Sequence, residues 1–254
     1  MDSRNRFLKI KNTRAFQIGK PLLYLPRSLI QAFLDFIYPP VCLVCGNRFE
    51  QGKWLCPDCW EEIQGSAKPG LYFPEMDFHF LHEKGFFESV YVFWDFDALL
   101  ETCIHKIKYE GMKHLGSAFG ERIGLFLSTL GFAFGEWDAL VPIPLHRVRE
   151  RERGYNQSEW IAKGISRIGE IPVCTDWIFR KRATQSQTGL SKKERLENVR
   201  NAFALKKSAS VKGKSILLVD DVVTTGATMN ACAKVLKEKG AERIVGIALA
   251  RPFI

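Results

Sequence analysis

Hydrophobic and polar positions alternate between two periods along the C-terminal half of the chain. Ile216, Leu217, Leu218 and Val219 form an unbroken apolar run, the signature of a strand buried on both faces, so Ser215–Asp220 reads as a strand. Apolar residues at helical spacing follow over Ala227–Lys239 and stop at Gly240, and Arg243–Ala250 is again strand-like. Upstream the same alternation holds. Leu99–Lys106 and Leu115–Leu130 read as helices, Asp138–Pro144 as a short buried strand, Tyr155–Ile168 as a helix and Ile171–Thr175 as a strand. Strands alternating with helices predict an α/β fold with a mainly parallel sheet flanked by helices.

The N-terminal part is less regular. Met1–Lys20 is polar and basic, with neither an apolar core segment nor a small-residue cleavage site, so it has no secretory pattern. Pro21–Pro40 is apolar but interrupted by Pro26, Arg27 and Asp35, too broken to span a bilayer. A short helix over Ser28–Tyr38, capped by Ser28 and stopped by Pro39-Pro40, fits better. It suits attachment to a membrane surface or, more commonly, packing on its own domain. Pro39-Pro40 and the stretch Gly65–Gly70 mark boundaries. The expected division is a basic extension with a short helix (1–40), a cysteine-bearing module (41–64), a connecting segment (65–97) and an α/β domain (98–254). Within the connecting segment only Tyr91–Phe93 reads as a strand.

Charge changes this picture in one respect. The net charge is +9, unevenly placed. Residues 104–214 hold twenty-one basic against eleven acidic groups, whereas residues 42–103 hold four against eleven. A basic middle region favours phosphate-bearing partners such as nucleotides, nucleic acid or anionic lipid; the plainer reading is a solvated basic surface.

Seven cysteines include two Cys-x2-Cys pairs, Cys42/Cys45 and Cys56/Cys59. That spacing matches a structural zinc site of four thiolates with no open coordination position, in a reducing, cytoplasmic setting. An iron–sulfur cluster is the alternative. Cys103, Cys174 and Cys232 read as small buried hydrophobes. His79 and His82 are spaced HxxH, but no cysteine pair accompanies them.

The chemistry concentrates after the Ile216–Val219 strand. Asp220 and Asp221 are followed by Thr224, Thr225, Gly226, Ala227 and Thr228, which lead into a helix. In open parallel sheets ligands bind at the carboxyl ends of strands. Small residues let backbone N–H groups approach a phosphate, and the helix N-terminus adds a positive dipole. Paired carboxylates add nothing to phosphate binding, but they accept hydrogen bonds from vicinal hydroxyls. Together these groups describe a site for a phosphorylated ribose.

Two further segments carry charge. Val141–Gln157 (VPIPLHRVRERERGYNQ) places Leu145, His146 and Arg147 just beyond a strand, with Arg149, Arg151 and Arg153 after them. The plainer reading is a charged helix face, with Glu150 and Glu152 pairing the arginines. Arg180–Phe203, which includes Gln187, Thr188, Gly189, Leu190 and Ser191, is polar, basic and too long for an ordinary αβ connection. It reads as a lid or as a plain surface loop.

ILLVDDVVTTGAT, at Ile216–Thr228, resembles the signature of type I phosphoribosyltransferases for 5-phosphoribosyl pyrophosphate (PRPP). With FLDFIYPPVCLVCG, KIKYEG, PIPLHRVRERERGYNQ, QTGLSKKERLENVRNAF and IVGIALAR, the chain resembles the ComF family from about Phe33 to Arg251. The resemblance implies a type I phosphoribosyltransferase-like domain behind a small N-terminal zinc ribbon. It implies candidate catalytic acids Asp220 and Asp221 on the ribose hydroxyls, Thr224–Thr228 on the 5-phosphate, Leu145–Arg147 near the pyrophosphate, and Gln187–Ser191 in a mobile loop. It also implies PRPP with Mg²⁺, and a role in natural transformation alongside single-stranded DNA and a competence helicase. Many family members carry a second cysteine-pair element, and this chain has none between Trp60 and Leu99. No base-recognition pocket is legible. An active phosphoribosyltransferase of nucleotide salvage or synthesis is therefore the alternative to a ligand-binding protein, and a PRPP-sensing regulator is a third reading.

Overall fold

The structure is a computed structural model, and it describes residues 41–49, 54–72, 85–181 and 202–252. The expected helix at Ser28–Tyr38, the HxxH pair and the segment Gln187–Ser191 lie outside the described residues.

The elements in chain order are α1 (Pro57–Gly65), β1 (Ala67–Tyr72), β2 (Val90–Asp95), α2 (Ala98–Tyr109), α3 (Lys113–Thr129), β3 (Ala139–Pro142), α4 (Arg147–Arg153), α5 (Gln157–Gly169), β4 (Ile178–Arg180), β5 (Phe203–Leu205), β6 (Ser215–Val222), α6 (Ala227–Lys237) and β7 (Arg243–Arg251). One sheet has the order β1-β2-β7-β6-β3. Strands β2, β7, β6 and β3 run parallel, and β1 adds antiparallel to β2 at the edge. Strands β4 and β5 form a separate antiparallel pair.

Alternation along β6 explains the layers. Leu217 and Val219 point into one apolar cluster with Phe93, Leu100, Ile107, Phe119 and Ile161, and so face α2, α3 and α5. Ile216 and Leu218 point into the other, with Val141, Met229, Cys232 and Leu236, and so face α6. The uninterrupted apolar run in the sequence is thus a strand covered on both sides.

Helices α3 and α5 pack unusually closely. An added Cβ on Gly120 would lie 2.1 Å from the Ile161 carbonyl oxygen, and one on Gly164 would lie 2.1 Å from that of Ser117. These glycines let the two backbones touch. The arrangement holds α5 against β6, with its N-terminus at the carboxyl end of the sheet.

Several expectations need refinement. Residues 67–72 and 90–95, read as lying in a connecting segment, supply two strands of the main sheet. Strand β1 (AKPGLY) escaped the pattern because Pro69 and Gly70 interrupt it; at an edge, with an irregular register between Ala67 and Gly70, both are tolerated. The expected strand Ile171–Thr175 is a single parallel bridge between Val173 and Leu140. Cys103 and Cys232 are buried as expected, whereas Cys174 is only half-buried.

Candidate functional site

The carboxyl end of β6 opens into a cleft of about 320 Å³. Asp220, Asp221 and the whole run Thr224–Thr228 line it. Gly226 has φ +69°, a left-handed conformation that favours glycine, and it caps the N-terminus of α6. Thr225 Oγ1 accepts a hydrogen bond from the Ala227 amide at 3.4 Å. The loop therefore turns tightly at the strand end and aims a helix N-terminus into the cleft, as an anion site requires.

The two acids have different surroundings. Asp220 Oδ1 accepts from Ser158 Oγ on α5 at 3.1 Å and from the Asp221 amide at 2.9 Å. Burial, and then the neighbouring Asp221 charge, push its carboxyl up to about 8. Asp221 is 6% exposed. Its Oδ2 lies 2.6 Å from Lys108 Nζ at the end of α2. Burial acts to raise the Asp221 carboxyl, but the Lys108 ammonium outweighs it and holds the group below its ordinary value. Lys108 is raised in turn, because the Asp221 charge overcomes the desolvation that would lower it.

Asn156 ties together two elements that border the cleft. Its Nδ2 donates to the Ile143 carbonyl at 3.0 Å and its Oδ1 accepts from the Ser158 amide at 3.1 Å, so it caps α5 and ties that helix to the end of β3. Tyr155, beside it, donates its hydroxyl to the Ile107 carbonyl of α2.

The arginine segment is helical. As in the charged-helix reading, residues 147–153 form α4, with His146 as its N-cap accepting from the Val148 amide at 3.3 Å. Leu145 lines the cleft, but His146 and Arg147 do not; Arg149 and Arg153, further along the helix, do. Helical periodicity decides which arginines face inward. Arg153 also donates to Gln157 Oε1 at 3.0 Å, and its guanidinium sits 5.0 Å from the centre of the Tyr109 ring. Lys108, Tyr109, Gln157 and Arg180 complete the walls and were not singled out in the sequence, although KIKYEG carried the signal for the first two.

The cysteines form a second site. The Sγ atoms of Cys42, Cys45, Cys56 and Cys59 all lie within 4.8 Å of one another. Cys45 and Cys56 are 3.6 Å apart at sulfur, close to the roughly 3.8 Å edge of a tetrahedron built with zinc–sulfur bonds of about 2.3 Å. Gly46, at φ +74°, makes the tight turn after the first pair, and Cys56 caps α1 by accepting from the Cys59 amide at 3.5 Å. Burial pushes the Cys59 thiol up, and the neighbouring cysteines push it further. A divalent cation resolves that crowding by taking thiolates as ligands. The four thiols fit a structural zinc.

The module is continuous with the core. Cys42, Cys56 and Cys59 belong to the apolar cluster beneath α2 and α3. Trp60 packs edge-on against Phe119, and Trp94 Nε1 donates to the Ile63 carbonyl at 2.8 Å.

Two family models match the chain. Residues 138–251 match the phosphoribosyl transferase domain, and residues 33–69 match the double zinc ribbon domain. The chain is 32% identical over 201 residues to competence protein ComFC of Bacillus subtilis, covering 79% of this chain and 72% of that one. The chain belongs to the ComF family. It is also 28% identical over 220 residues to competence protein F of Haemophilus influenzae, covering 83% of this chain and 96% of that protein. To DNA utilization protein YhgH of Escherichia coli it is 29% identical over 215 residues, covering 83% and 90%. The fold is accordingly a phosphoribosyltransferase-type α/β sheet joined to a zinc ribbon, and in this ComF-family chain the described residues contain one cysteine tetrad. Among the described residues no helix is long and apolar enough to cross a membrane.

Proposed function

We propose that this ComF-family protein binds PRPP or a related phosphoribosyl ligand in the β6–α6 cleft, and that it serves DNA uptake in the cytoplasm. One observation carries the reading. A hydroxyl-accepting acid pair and a phosphate-accepting helix N-terminus open into the same cleft, whose remaining wall is cationic through Lys108, Arg149, Arg153 and Arg180. Asp220 and Asp221 take the ribose hydroxyls, and Thr224–Thr228 take the 5-phosphate. The pyrophosphate lies toward Leu145 and the inward arginines of α4. Gln187–Ser191, between β4 and β5 in the chain, lie outside the described residues.

Mg²⁺ would accompany the pyrophosphate on the ligand's own oxygens. The acid pair fits a metal ion poorly, since Lys108 already stands 2.6 Å from Asp221. The competence and DNA-utilization names of the relatives support a role with single-stranded DNA and a helicase, and the basic middle region suits such a partner.

Calorimetry with PRPP and single-stranded DNA, separately and together, tests the proposal. PRPP heat that disappears in the combined variant Thr225→Ala, Asp221→Ala supports it; heat that persists places the ligand elsewhere. Pyrophosphate release with a panel of bases would make the protein a transferase, and a salt-independent DNA affinity would remove the basic region as the contact.

A further inference from the structure

Lys108 has a place in the cleft that a solvated surface lysine would not have. It ends α2, where the helix dipole favours a cation. The last turn of that helix is pinned, because Ile107 is 2% exposed and its carbonyl accepts the Tyr155 hydroxyl. Gly111, at φ +74°, then turns the chain away. The ammonium thus reaches Asp221 from a fixed base, and the Asp220 charge also acts on it. Two adjacent carboxylates at the end of a buried strand need a positive charge near them, or one must stay protonated. In many phosphate-transfer sites that charge is a divalent ion. Here it is covalently part of the protein.

We propose that Lys108 is the resident cation of the acid pair, standing where a divalent ion would otherwise sit, so that Asp220 and Asp221 engage a ribose phosphate without a metal ion of their own. The inference rests on the phosphoribosyl reading for its ligand, but not for its central claim. Asp221 Oδ1 accepts from the Val222 amide at 2.9 Å, while Oδ2, itself buried, faces Lys108 at 2.6 Å. Any metal carried by a pyrophosphate group then belongs to the ligand. Lys108 acts through the carboxylates and is a positioning residue.

Two measurements test this on the full-length protein. The first is Mn²⁺ binding followed by electron paramagnetic resonance, with no ligand present. Wild type and Lys108→Arg should show no Mn²⁺ site at the acids. Lys108→Met should gain one, and adding Asp221→Asn should remove it. The second is the affinity for ribose 5-phosphate, a probe without pyrophosphate, with and without Mg²⁺. Wild type should be indifferent to Mg²⁺. Lys108→Met should weaken by at least about tenfold without Mg²⁺, because the uncompensated Asp221 carboxylate opposes an anionic ligand, and should recover when Mg²⁺ is added. A wild-type Mn²⁺ site at the acids, or a Lys108→Met variant that matches wild type in both measurements, would overturn the proposal. Failure of wild type to bind ribose 5-phosphate under either condition would instead sink the phosphoribosyl reading, and the Mn²⁺ measurement would still decide the role of Lys108. Lys108→Arg, which keeps the charge, separates loss of the cation from loss of fold.

Discussion

Gly120 on α3 and Gly164 on α5 meet across the helix pair with no room for a methyl group on either. A Cβ on Gly164 would come within 2.8 Å of the Gly120 carbonyl carbon, and one on Gly120 within 2.9 Å of the Gly164 Cα. Neither obstacle is a flexible side-chain end, so the helices themselves must separate. Gly120→Ala and Gly164→Ala are each expected to destabilise the protein by about 1–3 kcal/mol, the usual cost of overpacking a close contact. Denaturant unfolding would show this as a lower midpoint at unchanged slope. Since α5 carries Gln157 to the cleft and Ser158 to Asp220, loss of ligand affinity should accompany the loss of stability.

Asn156 joins two elements through one side chain. Replacing it with Ala removes the cap of α5 and leaves the Ile143 carbonyl without that donor. The expected cost is about 1–2 kcal/mol from the cap alone. Asn156→Asp keeps the acceptor for the Ser158 amide but loses the donor to Ile143. If Asn156→Asp were as stable as wild type, the tie to β3 would be energetically idle.

Asp220 and Asp221 should respond to pH in opposite directions. The Asp220 carboxyl is raised to about 8, so its contribution to stability is present below its unfolded pKa and is lost as pH rises through about 8. The Asp221 carboxyl is lowered, so its contribution is present above its unfolded pKa and is lost as pH falls through the folded one. Relative to wild type, Asp220→Asn should therefore be more favourable at pH 9 than at pH 6. Carboxyl ¹³C NMR should find one aspartate titrating far above the rest, and Asp221→Asn should bring it down by removing the neighbouring charge. A set of aspartates that all titrate in the ordinary range would refute the assignment.

Zinc removal should affect more than the cysteine module. The Trp60–Phe119 contact and the Trp94–Ile63 hydrogen bond join α1 to the main core. Purified protein is expected to hold about one zinc per chain, as four thiolates on one ion require. Chelation, or Cys59→Ser, should lower the main calorimetric transition rather than melt a separate small one. A main transition unmoved by zinc loss would show that the module is energetically independent.

Local pattern was enough for much of this protein. The apolar run Ile216–Val219 reads as a strand covered on both faces, and the two cysteine pairs can meet at one tetrahedral ion because one is held by a short turn and the other by the start of α1. The positions of Asp220, Asp221 and Thr224–Thr228 at a strand end followed from the same local logic, since a strand, a tight glycine turn and a helix start are all short-range structures. Tertiary structure decided what faces them. Strand β1 was hidden because edge position, not propensity, permits its proline and glycine. The inward arginines are Arg149 and Arg153 rather than Arg147 because the segment winds into a helix whose orientation depends on its neighbours. The pairing of Lys108 with Asp221 joins two residues far apart in the chain; no spacing rule reaches across that distance, and only the packing of α2 against the sheet sets the ammonium beside the acid.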